Sequence, residues 1–448
     1  VMSSEVTVWL IWSVVAMFYF YEICLRMLPG IMTQHTMLRF HITATQLGMF
    51  TALYYWAYTF MQIPAGLLVD RFNIRRILVF ACFSCVLGLF ISQHASSFRV
   101  AEIGRFIVGL GSAFAYISCL KVASLWLPKQ RFGVASCILD SIGMIGGLFT
   151  TTCLLQMNIH YQPRVTVFLL LLFGGVIMMM IGLALRNAKR LAKVSNRQIK
   201  RCNEPVIKTI KKISQSKTLW LLGLVGCLTY LPASVIGDVW GLPYLQSVYH
   251  FDKTHASWVI GAFFAAWAVF GPFVGAISDR MQCRKKPLLY GTFALLVSLS
   301  LIIYAPLMLH HALPFTLTLA LFVLMGLGAS THPLIFAMTK ELFVNDIAGT
   351  IVATTNMIMS LSGLLFQPLI GVLLDMGRHS HHAQQQLSYT AGDFSRAFSI
   401  IPICIVLALI GLMVVKKNKE KRKALSLSYR FTIDTKKLWS LPSLSCCK

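Results

Sequence analysis

Charge is what this chain has least of. Asp, Glu, Lys and Arg make up 12% of its 448 residues, against about 25% in an ordinary soluble domain, and the acids number only 15. A water-soluble fold is excluded, because 57% of the chain is hydrophobic and is arranged in runs of about 20 residues, the length that spans a bilayer. No G-x-x-x-x-G-K-[ST] stretch occurs, so nothing points to nucleotide hydrolysis. The chain also lacks the N-x-[ST] sequon, which fits a bacterial inner membrane. Its twelve cysteines lie mostly inside the apolar runs, without zinc-type spacing, and read as small hydrophobes. With no catalytic constellation and no metal or cofactor motif, neither an enzyme nor a cofactor is expected.

What is present is a series of twelve apolar segments, at 8–30, 45–69, 76–93, 100–125, 133–155, 164–185, 218–246, 255–278, 287–308, 314–338, 347–374 and 395–415. The first has no small-residue cleavage pattern and leads into further spans, so it reads as a helix and not as a signal peptide. The expected architecture is an all-α integral membrane protein, with twelve transmembrane helices in two pseudo-symmetric six-helix bundles. The first bundle covers 1–185 and the second 218–415. Between them lies a basic linker, 186–217, holding eleven Lys and Arg against the single acid Glu204, and a basic tail follows at 416–448.

The formal charge of +25 is an orientation signal. With both termini placed inside, 31 of the 40 basic residues fall in inner loops, linker and tail, and six in outer loops, as the positive-inside rule demands. The basic face would meet anionic lipid head groups, and nucleic acid is not needed to explain it. Both termini are therefore expected in the cytoplasm of a multi-pass plasma-membrane protein, with a monomer as the expected state.

One stretch occurs twice. Gly66, Asp70, Arg71, Arg75 and Arg76 follow the second span, and Gly275, Asp279 and Arg280 with a basic run follow the eighth, 209 residues later. The glycine permits close helix packing, and the aspartate can cap a helix N-terminus at its positive dipole end. These repeats, the twelve spans and the basic linker resemble the major facilitator superfamily, whose first signature is G-x-x-x-D-R-x-G-R-R. Here Asn73 stands at the second glycine, with one extra residue before the arginines. The resemblance implies a gate between the second and eleventh helices on the cytoplasmic side. Arg105 with Gly109 and Gly111 resembles the second signature, in which the arginine is tied to proton coupling. The antiporter signature on the fifth helix is not met, since Gly143, Gly146 and Gly147 come without its proline. Y-E-I-C-L-R at Tyr21–Arg26, Tyr54-Tyr55, V-W-G-L-P-Y-L and Q-P-L-I-G-V-L-L-D are similar to a narrower branch, containing sulfoacetate-type organic-anion permeases and relatives of a lysosomal dipeptide carrier.

Charges inside spans are few and mark function. Glu22 and Arg26 sit four apart on one helical face, either as a structural pair or lining a cavity, with Arg26 on a substrate carboxylate and Glu22 exchanging a proton. Lys121 either pairs with Asp140 or snorkels to the interface, and Asp140 is structural or a proton relay. Asp238, near the outer end of the seventh span, is expected to be hydrated there or to face substrate. Trp240, Tyr244, His332, Asn356 and Gln367 complete the candidates. Gly241 and Pro243 should interrupt the seventh helix and Pro333 the tenth. Eleven of twelve histidines fall at the outer face, as neutral polar residues or as an acid-sensing set. A weak metal site at His379, His381 and His382 is a further reading.

The function expected is secondary active transport of a small organic anion, amino acid or short peptide by alternating access, as a proton symporter. The second reading is a transporter-like sensor that signals through its basic tail.

Overall fold

The computed structural model describes residues 2–126, 129–192, 214–281, 283–342, 348–379 and 389–415. Most of the linker, the tail beyond Val415 and the His381–His382 pair lie outside these residues, as do the side chains of Asp70 and His379. Residues Val1–Leu412 form one unit, and a second begins at Met413.

Every described element is helical: α1 (Met2–Ile31), α2 (Thr33–Phe40), α3 (Ala44–Arg71), α4 (Ile74–His94), α5 (Phe98–Trp126), α6 (Lys129–Phe149), α7 (Leu155–His160) and α8 (Pro163–Ala192), then α9 (Lys217–Thr229), α10 (Gly241–Val248), α11 (Lys253–Arg280), α12 (Lys285–Leu309), α13 (Phe315–Ala329), α14 (Pro333–Glu341), α15 (Ala348–His379), α16 (Ala391–Phe398) and α17 (Ile400–Val414). π-Helical turns at Thr150–Leu154 and Pro232–Trp240 join α6 to α7 and α9 to α10. These pieces make twelve membrane-crossing passages. Eleven are long and apolar enough to be recognised by length and hydropathy alone. The twelfth, α3, has the 28-residue length but is diluted by Tyr54, Tyr55, Tyr58 and two glutamines. That dilution is itself a sign of function.

Helix boundaries follow from local chemistry. Thr43 and Gln46 form a capping box at the start of α3, and Asp252 caps α11 by accepting the N–H of His255 at 2.7 Å. That backbone bond, with the His255 ring beside it, holds the Asp252 carboxyl below the ordinary carboxylate range. Asn73, the departure from the superfamily signature, is the N-cap of α4, its side chain accepting from the Arg75 N–H at 3.1 Å. Three of the histidines have a backbone reason to be where they are. His41, His250 and His310 are the non-glycine residues with positive φ (51°, 55° and 56°) among those described, and each ends a helix on the same face. Histidine enters this left-handed region more readily than bulky or β-branched residues.

The two halves repeat in space. His41 and His250, Thr43 and Asp252, and Gly66 and Gly275 are each 209 residues apart. Gly109 on α5 packs against the Tyr54 carbonyl and Ala57 of α3, while Gly326 on α13 packs against the Phe263 carbonyl and Ala266 of α11. Gly111 meets Ala81 and Cys85, and Gly328 meets Gly291 and Leu295. A side chain at any of these glycines would push two helices apart, so the repeat is maintained by backbone approach.

Across the halves, α3 runs antiparallel to α15 and α6 packs on α11. The face carrying the linker is called here the linker face, and the opposite one the distal face. The α3–α15 contact begins at the distal end, where a Cβ on Gly48 would stand 2.6 Å from the Gln367 carbonyl, and continues to Asn356. It does not reach Gly66, around which no atom of the described residues lies within 4 Å of a Cβ position. The close approach expected at Gly66 is made in this conformation at Gly48, Gly363 and Gly371 instead. The halves are thus joined distally and part toward the linker face.

Candidate functional site

Four buried charges converge in the distal half of the membrane: Glu22 and Arg26 on α1, Arg105 on α5 and Asp238 in the second π-helical turn, between 1% and 7% exposed. Burial of single charges at that depth is costly unless each is compensated, and the compensation is specific. Arg26 Nε lies 3.3 Å from Asp238 Oδ2, an ion pair linking the first half to the second. Tyr55 donates to the same Asp238 oxygen at 2.5 Å, and Tyr54 donates to Glu22 Oε1. Arg105 gives one Nη to the carbonyl of Leu25 and the other to that of Arg26, both at 2.7 Å, while its guanidinium stands 4.7 Å over the Tyr54 ring.

This grouping differs from the sequence expectation in three ways. Glu22 and Arg26 share a face, but each turns to another partner, Tyr54 and Asp238. Asp238 is not hydrated at a helix end: the π-helical turn moves it inward to 1% exposure. Arg105 grips main-chain carbonyls and an aromatic face, so it positions α1. Its planar fork suits two carbonyls at once.

The remaining candidates fall into place around this core. Trp240 donates to the Gln367 carbonyl at 3.3 Å, and Gln367 Nε2 to the Ser234 carbonyl at 2.6 Å. Asn356 donates to the Tyr58 hydroxyl and Gln62 Oε1, each at 3.1 Å. His332 sits in the break between α13 and α14, its ring 5.0 Å from Tyr230 and 5.9 Å from Trp267. The irregularity of the seventh passage spans Pro232–Trp240 and ends directly before Gly241, and Pro243 is accommodated inside α10. Asp140 lies against α11, with Oδ2 4.0 Å from the Cβ position of Gly271. Lys121 is half-buried toward the linker face.

Residue-by-residue reading gave Tyr54, Tyr55 and Tyr58 no role, yet the first two bond the buried carboxyls, and Tyr58 stacks on Tyr54 and accepts from Asn356. Their positions in the repeat show what changed. Tyr54, Tyr55, Tyr58 and Arg105 correspond to Phe263, Phe264, Trp267 and Phe322, so hydroxyls and charge survive only in the first half. The signal that could have found them was the weak hydropathy of the second span.

Not all of the polar capacity is used. Glu22 Oε2, Arg26 Nη2 and Asp238 Oδ1 are buried without a hydrogen-bond partner. Buried polar atoms are nearly always paired, so such orphans need a reason. Three of them lie on neighbouring charged groups of this cluster.

The Major Facilitator Superfamily profile matches residues 8–367 and 222–442. The chain belongs to that superfamily. As a superfamily member it is a secondary transporter and not an enzyme. It is similar over 91% of its length to a bacterial homologue of the human lysosomal transporter Spinster, with a TM-score of 0.67 and 14% identity over 96% of that chain. Short matches join it to the uncharacterized transporter YybO of Bacillus subtilis (34% identity over 106 residues, 23% of each chain) and the probable sulfoacetate transporter SauU of Cupriavidus necator (26% over 109 residues, 24% of this chain and 25% of that one). The probable galactarate/D-glucarate transporter GarP of Escherichia coli matches similarly (28% over 106 residues, 22% of this chain and 24% of that one). Each of these matches spans about a quarter of the relative's length. Of the superfamily's first signature, Arg71 and Arg76 are exposed at the linker face. In the second copy, Arg284 pairs with Asp279 at 2.5 Å and with Glu341 at 3.2 Å, all within the second half.

Proposed function

We propose that this transporter carries a small organic anion together with a proton, by alternating access about the Glu22–Arg26–Arg105–Asp238 cluster. The observation that carries the reading is the Arg26–Asp238 pair, which joins the two halves while leaving Arg26 Nη2 and Asp238 Oδ1 unpartnered. Two acids and two arginines make this cluster formally neutral. A carboxylate or sulfonate taking Arg26 would leave one uncompensated negative charge in a low-dielectric site, a cost of several kcal/mol. A proton on Glu22 or Asp238 removes that cost, so anion and proton enter together. The tyrosine hydroxyls of Tyr54 and Tyr55 hold the two carboxyls in place. An anion that competes for Arg26 also weakens its bond to Asp238, and thereby loosens the contact between halves that must alternate.

The proteins called sulfoacetate and galactarate/D-glucarate transporters support the anionic class, as does an arginine that is not fully engaged. The basic linker face is assigned to the cytoplasm, with both termini there, in a plasma membrane. Purified protein reconstituted in proteoliposomes should take up at least one of sulfoacetate, D-glucarate, glutamate or dialanine under an acid-outside gradient. Uptake of none of them above empty vesicles, or uptake indifferent to the gradient, would count against the proposal.

The two signature aspartates should differ in weight. Asp279 is 67% exposed and its partner Glu341-bound Arg284 belongs to its own half, and exposed pairs contribute about 0–1 kcal/mol. Asp279→Asn is expected to change turnover less than about twofold. Asp70→Asn, at the complete copy of the signature, should lower turnover by about tenfold with affinity unchanged, the effect of losing a gating contact worth about 1.4 kcal/mol in the barrier. Initial uptake rates of the two variants measure this, and equal losses would contradict the asymmetry.

A further inference from the structure

Outside the charged core, the halves are also joined by the last residue of the Q-P-L-I-G-V-L-L-D stretch. Asp375 lies at the distal end of α15, and its carboxylate covers the N-terminus of α3. Oδ2 accepts the Thr45 N–H at 2.8 Å and the Thr45 hydroxyl at 2.6 Å. Oδ1 accepts the Ala44 N–H at 3.3 Å and the Tyr389 hydroxyl at 2.7 Å. Tyr389, just before α16, also accepts from the Ala44 N–H at 3.1 Å. One turn below, Gly371 lets the main chain of α15 meet that of Ala44 directly.

A helix start has free N–H groups and the positive end of the helix dipole, so a carboxylate there is well placed. Here α3 does not rely on its own half alone. Thr43 serves the Gln46 N–H, and the two preceding donors are served by the second half. The sequence register is telling: Gln367, Gly371 and Asp375 on α15 have the spacing of Gln62, Gly66 and Asp70 on α3, and the two helices lie antiparallel in contact.

We propose that Asp375, with Thr45 and Tyr389, is the latch that holds the distal gate closed, acting on the transport equilibrium and not on the substrate. The latch rests on the alternating-access reading. Its parts suit a contact that must open and close. When the distal ends separate, Asp375 keeps the Tyr389 hydroxyl from its own half, α3 keeps the Thr43 cap, and water takes the Ala44 and Thr45 N–H groups. Neither side is left with a buried orphan, so the closed state is favoured without being locked. Exchanging charge-assisted bonds for water biases such an equilibrium by about tenfold.

The test uses spin labels on two pairs of exposed positions, with accessible native cysteines replaced by serine. Gln34→Cys with His311→Cys reports the distal face, and Phe72→Cys with Met281→Cys the linker face. Asp375→Asn is expected to shift the ratio of long to short distal distances about tenfold toward long, with the linker-face pair moving the opposite way. Thr45→Val combined with Tyr389→Phe should give a smaller shift of the same sign, and decides the matter if Asp375→Asn does not fold. A distal distribution unchanged in these variants, while the linker-face pair still shows two populations, overturns the latch alone. A single unchanging population at both faces in every protein overturns alternating access and the latch with it.

Discussion

Arg26→Ala should lose at least about 100-fold in affinity for any anion that the wild-type protein binds, since a charged hydrogen-bonded contact in a dry site is removed. The readout is the ligand-induced rise in melting temperature of the purified protein, measured with sulfoacetate, D-glucarate, glutamate and dialanine. The single substitution also has a structural cost. It leaves Asp238 buried without its cation, a change that typically costs about 3–5 kcal/mol. Stability and binding are separated by the double variant Arg26→Met with Asp238→Asn, which removes both charges at nearly constant volume. The double variant should regain most of the lost melting temperature, yet show no ligand-induced rise. A ligand response that survives Arg26→Ala would remove this arginine from the site.

The second large effect concerns the proton. Glu22→Gln keeps an acceptor for the Tyr54 hydroxyl and takes away the titratable group. Accumulation of substrate against its gradient should fall to the level of empty vesicles, while counterflow exchange across vesicles loaded with the same anion should persist within a few-fold. The reason is the charge count. Exchange returns the cluster to the same state each time, whereas net uptake requires the charge to be balanced once per cycle. If net accumulation continues in Glu22→Gln, the proton is carried elsewhere, and Asp238, which shares the burial and the tyrosine contact, is the next residue to replace.

How far the sequence could be read depended on what kind of information each feature carried. The spans, the basic linker and the repeat at Gly66 and Gly275 are one-dimensional features, and the fold and superfamily follow from them. The charged residues Glu22, Arg26, Arg105 and Asp238 stood out because a charge in an apolar run is rare. Their pairing was not legible, since α1 meets the second π-helical turn only through tertiary packing, and a π-helical turn shifts the facing of every residue after it. The tyrosines were hidden for a different reason. An aromatic residue in a membrane span counts as apolar, and only a partner such as Glu22 or Asp238 reveals the hydroxyl as its working part. Asp375 was visible in Q-P-L-I-G-V-L-L-D, but as a family likeness, and its role needed the start of α3 to be placed beside it. The histidines carry the opposite lesson. An acid-sensing set was one reading of their crowding at one face, yet His41, His250 and His310 occupy left-handed positions that terminate helices, a backbone task independent of pH. Burial, with Arg39 and Arg164 nearby, pushes His35 below the ordinary histidine range.

A neutral cluster of two acids and two arginines should admit an anion only with a proton. Reconstituted vesicles containing a trapped pH indicator test it directly, with the uptake of a monovalent anion and the internal acidification followed together and no membrane potential applied. One proton should enter per anion in the wild-type protein, with acidification absent in Glu22→Gln. Anion uptake at the wild-type rate with no change in internal pH would contradict it.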